Sequence, residues 1–195
     1  RADEPVRIAT PALFNVYNAA AAVCAFTSAG YPAEEILRTL SDMSGSFGRM
    51  ETFQIGDVRA QMILVKNPAG CNQALDYLCG LQTPFTAVFC LNDLDADGHD
   101  ISWIWDADYE PLCARDTLRR VYVWGIRAAD LALRLKYAGL PAEKVRIVGK
   151  MDDLVEKIKK SRYPVFILPN YTTMLPLRDA LGEAAGKKKF WERES

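Results

Sequence analysis

Phe85-Thr-Ala-Val-Phe-Cys-Leu91 runs without a break into Asn92-Asp-Leu-Asp-Ala-Asp-Gly-His-Asp-Ile-Ser-Trp-Ile-Trp-Asp106. The first segment is apolar but for Thr86 and lies between Pro84 and a turn cluster. It reads as a strand buried on both faces, the kind found inside parallel sheets. Five carboxylates (Asp93, Asp95, Asp97, Asp100 and Asp106) then fall within fourteen residues, interrupted by Gly98 and flanked by Trp103 and Trp105. In open α/β sheets, ligands and catalytic groups gather just past the carboxyl ends of strands. An acidic loop at such a place is expected to recognise or orient something.

Outward from this strand the chain alternates. Toward the carboxyl end, Arg120 to Trp124 reads as a strand, Ala128 to Ala138 as a helix closed by Gly139, and Val145 to Val148 as a short strand. Met151 to Lys160 follows as a helix, Pro164 to Leu168 as a strand, and Thr172 to Ala185 as a last helix. Toward the amino end, Cys71 to Leu81 reads as a helix preceded by the loop Lys66 to Gly70. Two strands, Arg49 to Gln54 and Val58 to Val65, meet at the Gly56-Asp57 turn. Such alternation predicts an α/β fold with a mostly parallel, Rossmann-like sheet and helices on both faces. Helices over residues 11–29 and Pro32 to Leu40 precede it, and the polar, glycine-bearing stretch Ser41 to Gly48 is the expected domain boundary. The lysines after Gly186 read as a solvated tail.

At 195 residues the chain is long enough for one full domain and part of another. Its net charge of −1 offers no overall basic field for nucleic acid. No apolar run reaches the length of a membrane span, and no signal peptide opens the chain. The chain starts at Arg1 and opens within what resembles a functional motif, so a fragment of a larger protein is expected. Cys24, Cys71, Cys79, Cys90 and Cys113 have irregular spacing and no CxxC pair, which suits a reduced cytoplasmic protein with mostly buried free thiols. With His99 as the only histidine, no zinc ligand set is expected.

Four positions invite chemistry. Asn15 and Asn18 in Phe14-Asn-Val-Tyr-Asn18 share a helical face, and carboxamides suit an adenine edge or a phosphate-bound water; capping, with Tyr17 packed in a core, is the plain alternative. Arg49 in Gly48-Arg-Met-Glu51 sits where an arginine reaches a phosphate as two domains close, or pairs on the surface with Glu51. Lys66 and Asn67 in Lys66-Asn-Pro-Ala-Gly-Cys-Asn72 precede a helix whose free amides point toward an anion, although many such turns only connect. The acidic loop superficially suggests calcium, but an EF-hand needs Glu six residues after its glycine, and Ile104 stands there. Several of its aspartates are expected to cap turns. Gly149-Lys150-Met151 lacks the earlier glycine and the hydroxyl residue of a phosphate loop, so no complete triphosphate site is expected.

Phe14-Asn-Val-Tyr-Asn-Ala19, Gly48-Arg-Met50, Lys66-Asn-Pro-Ala-Gly70 with Asn72, Asn92-Asp93, Ala96-Asp-Gly98 with Asp100, Ser102-Trp-Ile104 and Pro169-Asn-Tyr-Thr-Thr173 occur in this order. Taken together they resemble the MurT family, the Mur-ligase-like subunits of bacterial lipid II isoglutaminyl synthase. The resemblance implies that residues 1–48 are the helical tail of an ATP-binding central domain and residues 49–195 a C-terminal Rossmann-like domain. It also implies a ligase acting at the inner face of the cell membrane in peptidoglycan synthesis. With ATP and Mg2+ bound by the full-length protein and none by this piece alone, the α-carboxylate of D-glutamate in lipid II is activated. Ammonia released from glutamine by a partner, a GatD-like glutaminase, then yields D-isoglutamine.

By the same matching, Asp100 falls on the residue that completes the partner's Cys-His triad, and Asn18 on an ATP-contacting asparagine. Asn15, Arg49, Lys66 and Asn67 match less specifically, in the region of the nucleotide or acyl phosphate. No metal ligand is implied. Leu94 and His99 depart from the usual asparagine and arginine of the family. Two other readings fit the same residues: a non-catalytic docking module for a glutaminase, and the C-terminal domain of a Mur-type amino-acid ligase.

Overall fold

A computed structural model describes residues 13–42 and 49–186. The chain divides into two compact units, Arg1–Phe47 and Gly48–Ser195.

The first unit contains α1 (Leu13–Ser28) and α2 (Ala33–Asp42). Gly30, with φ +88°, reverses the chain between them, a conformation only glycine adopts without strain. The Phe26 and Tyr31 rings meet edge to face at 5.7 Å across the turn. Glu34 and Glu35 occupy the first turn of α2, where its dipole favours negative charge, and Ile36 is the residue that α2 buries. The proline expected to start α1, Pro11, lies outside the described residues.

The second unit is built on a six-stranded sheet in the order β1-β2-β6-β3-β4-β5. The strands are β1 (Arg49–Ile55), β2 (Val58–Ile63), β3 (Phe85–Cys90), β4 (Leu118–Trp124), β5 (Val145–Ile147) and β6 (Val165–Pro169). Only the β1–β2 hairpin is antiparallel; the other pairs are parallel. All six residues of β3 and all five of β6 are buried, as expected for the two central strands. Four further α-helices lie between them, α3 (Pro68–Cys79), α4 (Glu110–Cys113), α5 (Ala128–Tyr137) and α6 (Met151–Lys159), and α7 (Tyr171–Ala184) follows β6.

Side-chain alternation along the strands divides the core. Val88, Cys90, Val165 and Ile167 pack with Leu154 and Ile158 of α6 and with Met174 and Leu177 of α7. On the opposite face Phe166 meets Tyr77 of α3 at 6.0 Å, and Phe89 meets Tyr109 at 5.6 Å. Each central strand thus has helices on both sides, which is why its sequence is continuously apolar. The thiols divide less uniformly than expected. Cys71, Cys90 and Cys113 are buried, but Cys79 is half-buried and Cys24 is exposed on α1. Apolar neighbours in sequence do not bury a residue when its helix face has nothing packed on it.

Because β2, β6, β3, β4 and β5 run parallel, their carboxyl ends lie along one edge of the sheet. At that edge Gly125, with φ +113°, lets β4 turn against β3. A Cβ there would stand 2.3 Å from the Leu91 carbonyl oxygen and 2.9 Å from its carbon. The same oxygen accepts the Arg127 amide at 3.0 Å. Gly125→Ala is therefore expected to destabilise the protein by about 2–3 kcal/mol, since a strained φ and a backbone clash coincide. A lowered denaturant midpoint with an unchanged m-value checks this; an unaltered midpoint would show that Leu91 does not approach so closely.

Candidate functional site at the strand ends

The acidic loop leaves β3 and lies between the ends of its neighbours β6 and β4. Its first half is fixed by polar side chains that belong to distant parts of the sequence. The Asn92 amide donates to Asn170 Oδ1 at 3.2 Å, and Asn170 Nδ2 donates back to the Asn92 carbonyl at 2.8 Å. Asn92 Nδ2 donates to Thr172 Oγ1 at 2.9 Å, while Asn92 Oδ1 accepts the Ile126 amide at 2.8 Å. The Asp97 carboxylate closes the network by accepting the Thr172 amide at 2.9 Å and the Thr172 hydroxyl. Asp97 thus satisfies an orphan amide in the first turn of α7, where negative charge is favoured. The segments Asn92-Asp93, Ala96-Asp-Gly98 and Pro169 to Thr173, separate in sequence, form one hydrogen-bonded device. Replacing Asp97 with Ala is expected to cost about 1–2 kcal/mol, the usual cost of losing a helix N-terminal acceptor, read as a fall in Tm.

Other carboxylates also have local partners. Asp93 Oδ2 lies 3.4 Å from Arg127 Nε, which is equally distant from Asp130. Asp95 meets His99 Nε2 at 3.0 Å, and His99 Nδ1 lies 2.9 Å from the Asp93 carbonyl. Asp108 and Asn72 hold each other through two hydrogen bonds of 2.8 and 3.1 Å, which ties the loop to α3. Asn72 is therefore engaged in structure. Among the described residues no cluster of His, Cys, Asp and Glu is arranged to hold a metal ion.

Asp100 differs from these. It is exposed, and no cation pairs with it among the described residues. Its Oδ1 accepts the Ser102 amide at 2.8 Å, a local turn that opens the 3-10 helix η1 (Ser102–Trp105). The Ser102 hydroxyl, and after it the Ser102 amide, hold the Asp100 carboxyl below the usual carboxylate range. At neutral pH this position presents a fixed, ionised carboxylate to solvent.

Behind η1 stands Arg134 of α5, a buried cation. Its Nε donates to the Ile104 carbonyl at 3.1 Å, and its Nη2 donates to the Ala107 carbonyl at 2.7 Å. Its fork also grips Glu110 at 2.7 and 3.0 Å. The guanidinium lies over Tyr109 and Trp105, 5.2 and 5.6 Å from their ring centres. Trp105 in turn meets Tyr137 edge to face at 5.7 Å. One side chain thus organises the whole segment after Asp100. Nothing in the local sequence marks the individual roles of Arg134, Asn170 and Thr172; only their distant partners reveal them.

The expected nucleotide contacts fall in both units. On α1, Asn15 is half-buried and Asn18 exposed, and neither carboxamide has a hydrogen bond among the described residues. Tyr17, whose packing in a core is the plain alternative, is 69% exposed. In the second unit Lys66 is exposed just past β2, next to Asn67, whose Oδ1 caps α3 by accepting the Gly70 amide at 2.8 Å. Gly48 and the side chain of Arg49 lie outside the described residues. Met50 after it has φ +59° and sits at a bulge in β1, and the neighbouring Glu51 is gripped by Arg178 at 2.8 and 3.0 Å.

Comparison with known proteins bears on this edge of the sheet. Residues 64–174 match the family described as MurT ligase C-terminal. The chain is 36% identical over 170 residues to the MurT subunit of lipid II isoglutaminyl synthase (glutamine-hydrolyzing) from Streptococcus pneumoniae, covering 87% of this chain and 38% of that protein. It is 35% identical over 173 residues to the Staphylococcus aureus subunit of the same name, covering 88% and 39%. The chain thus spans about two fifths of the length of these relatives. A crystal structure of MurF from Acinetobacter baumannii superposes with a TM-score of 0.69 at 22% identity, over 91% of this chain and 40% of that one, which shows a shared fold.

Proposed function

From the premise that this chain belongs to the MurT ligase C-terminal family, whose match covers residues 64–174, we propose that it is part of a glutamine-dependent lipid II amidating ligase. The observation that carries the reading is Asp100: a solvent-facing carboxylate, ionised and fixed by Ser102, past the end of the central strand β3. A carboxylate so placed is suited to accept the imidazole N–H of a glutaminase histidine, fixing its tautomer and stabilising the imidazolium. The ammonia set free then attacks the activated α-carboxylate of D-glutamate in lipid II. Residues 1–48 are read as the tail of the ATP-binding central domain, and residues 49–195 as the C-terminal domain. The exposed Tyr17, Phe26 and Tyr31 support placing the first unit within a larger domain.

ATP with Mg2+ supplies the activation in the full-length protein. Asn18, Asn15, Arg49, Lys66 and Asn67 are the side chains of this piece proposed to approach it. The unbonded carboxamides of Asn15 and Asn18 fit that role, as does the exposed Lys66 beside a helix N-terminus. Asn67 retains its amide hydrogens for a ligand while its oxygen caps α3. Work at the cytoplasmic face of the cell membrane belongs to the same reading; no helix among the described residues is long and apolar enough to cross a membrane.

The test is reconstitution of the full-length subunit with its glutaminase, lipid II and ATP. Amidation from glutamine should require both subunits, whereas free ammonia should serve the ligase subunit alone. Amidation from glutamine without the glutaminase, or transfer of an amino acid in place of ammonia, would refute the reading. A second reading, docking without chemistry, draws on the exposed Trp105–Tyr137 pair that follows the acidic loop. Replacing Asp100 with Asn separates the two, since the first expects hydrolysis to fall with the complex intact and the second expects both to fall in proportion.

A further inference from the structure

A groove of about 1070 Å³ opens on the α6 face of the sheet, and no residue of the acidic loop lines it. Its lining includes Thr86 near the start of β3, Arg119 and Arg120 near the start of β4, and Ser161 to Tyr163 just before β6. Since these strands are parallel, these residues stand at the end of the sheet opposite Asp100, and the groove runs from there along α6 to Ile147, Val148 and Gly149 at the carboxyl end of the edge strand β5. The charge of the lining is lopsided. It carries five cations against two carboxylates, although the whole chain has a net charge of −1.

Three of these five cations are not spent on neighbours. Arg119, Arg120 and Arg162 are exposed and make no ion pair among the described residues. Alternation along β4 turns Arg120 and Tyr122 to the same face, and Lys157 lies 5.9 Å from the Tyr122 ring centre. Of the two acids, Glu156 is taken by Lys159 at 3.0 Å and Lys160 at 3.7 Å. Asp153 is left as the one lining carboxylate without an ion pair among the described residues. Like charges crowded into a concavity repel one another, and low-dielectric walls focus their field outward. Guanidinium forks match phosphate oxygens in pairs.

The geometry points to a site for a phosphate-bearing group, supplied either by the headgroups of an anionic lipid surface or by a soluble diphosphate. Its arginines stand at the strand ends away from Asp100, so both can be engaged together. This inference does not rest on the triad role of Asp100.

The experiment uses the full-length protein and two probes, vesicles of phosphatidylcholine with or without phosphatidylglycerol, and inorganic diphosphate. The variants are Arg120→Glu/Arg162→Glu and the milder Arg120→Gln/Arg162→Gln, with Arg59→Glu/Lys136→Glu as a control of equal charge change elsewhere. Wild type should sediment with the anionic vesicles or be stabilised thermally by diphosphate. The first outcome assigns a lipid source and the second a soluble one. The groove reversal should weaken that binding by about tenfold or more, the glutamine pair less, and the control little. Binding of neither probe by wild type overturns the inference. So does equal binding by the groove variants, or an equal loss in the control.

Discussion

Asp100→Asn, introduced into the full-length subunit and paired with its glutaminase, is expected to lower glutamine hydrolysis by about 10³- to 10⁴-fold and to leave the two subunits associated. The substitution is isosteric, and its remaining amide oxygen can still accept the Ser102 amide that fixes the native carboxylate at 2.8 Å. The loop should therefore keep its shape. What is lost is the negative charge and one acceptor: an asparagine NH2 turned toward an imidazole N–H opposes the tautomer that leaves the other nitrogen free to act as base. Ligation driven by free ammonia should be unchanged, because that route needs no glutaminase. Normal glutamine hydrolysis would remove Asp100 from the triad. A loss of hydrolysis in proportion to a loss of co-purification would instead support docking without chemistry.

The strand that leads to this residue is readable because its environment is uniform. Every residue of β3 is covered on both faces, so an uninterrupted apolar run between Pro84 and a polar cluster is its direct trace. The hairpin and the helices α3, α5, α6 and α7 are likewise readable from local patterns. The segment beyond Asp100 is not. The 3-10 helix Ser102–Trp105 and α4, Glu110–Cys113, have four residues each, too short to show a period. They hold their shape through Arg134, which bonds to Ile104 and Glu110 from 30 and 24 residues away. Asp97 poses the same problem. It is visible in the sequence as one of several acids, but its helix-capping role depends on Thr172, 75 residues distant. Exposure is also hidden: the spacing that places Asn15 and Asn18 on one face cannot tell whether anything covers that face.

That dependence on Arg134 makes Arg134→Met the variant with the largest expected cost in stability, about 3–5 kcal/mol, or a fall in Tm on the order of ten degrees. Methionine preserves much of the volume, so the loss is chiefly polar. The carbonyls of Ile104 and Ala107 belong to residues that are 0% and 1% exposed, and water cannot readily replace the guanidinium there. Tyr109 and Trp105 lose the cation over their rings as well. The Glu110 partner contributes less, because its side chain is 55% exposed and solvent screens the pair. The same pair sets a sign for pH. Hydrogen bonds from Arg134 hold the Glu110 carboxyl below the ordinary carboxylate range. Its contribution is thus present above the unfolded pKa and is lost as pH falls through the lower, folded value. Glu110→Gln should flatten that acid limb of the stability profile slightly, and Arg134→Met should abolish it along with the larger loss. Since Ile104 sits two residues beyond Ser102, Arg134→Met should also reduce glutamine hydrolysis while leaving ammonia-driven ligation measurable below the new Tm. A variant as stable as wild type would mean that Arg134 does not hold the segment, and that Asp100 takes its position from Ser102 and the Asn92–Asn170 network alone.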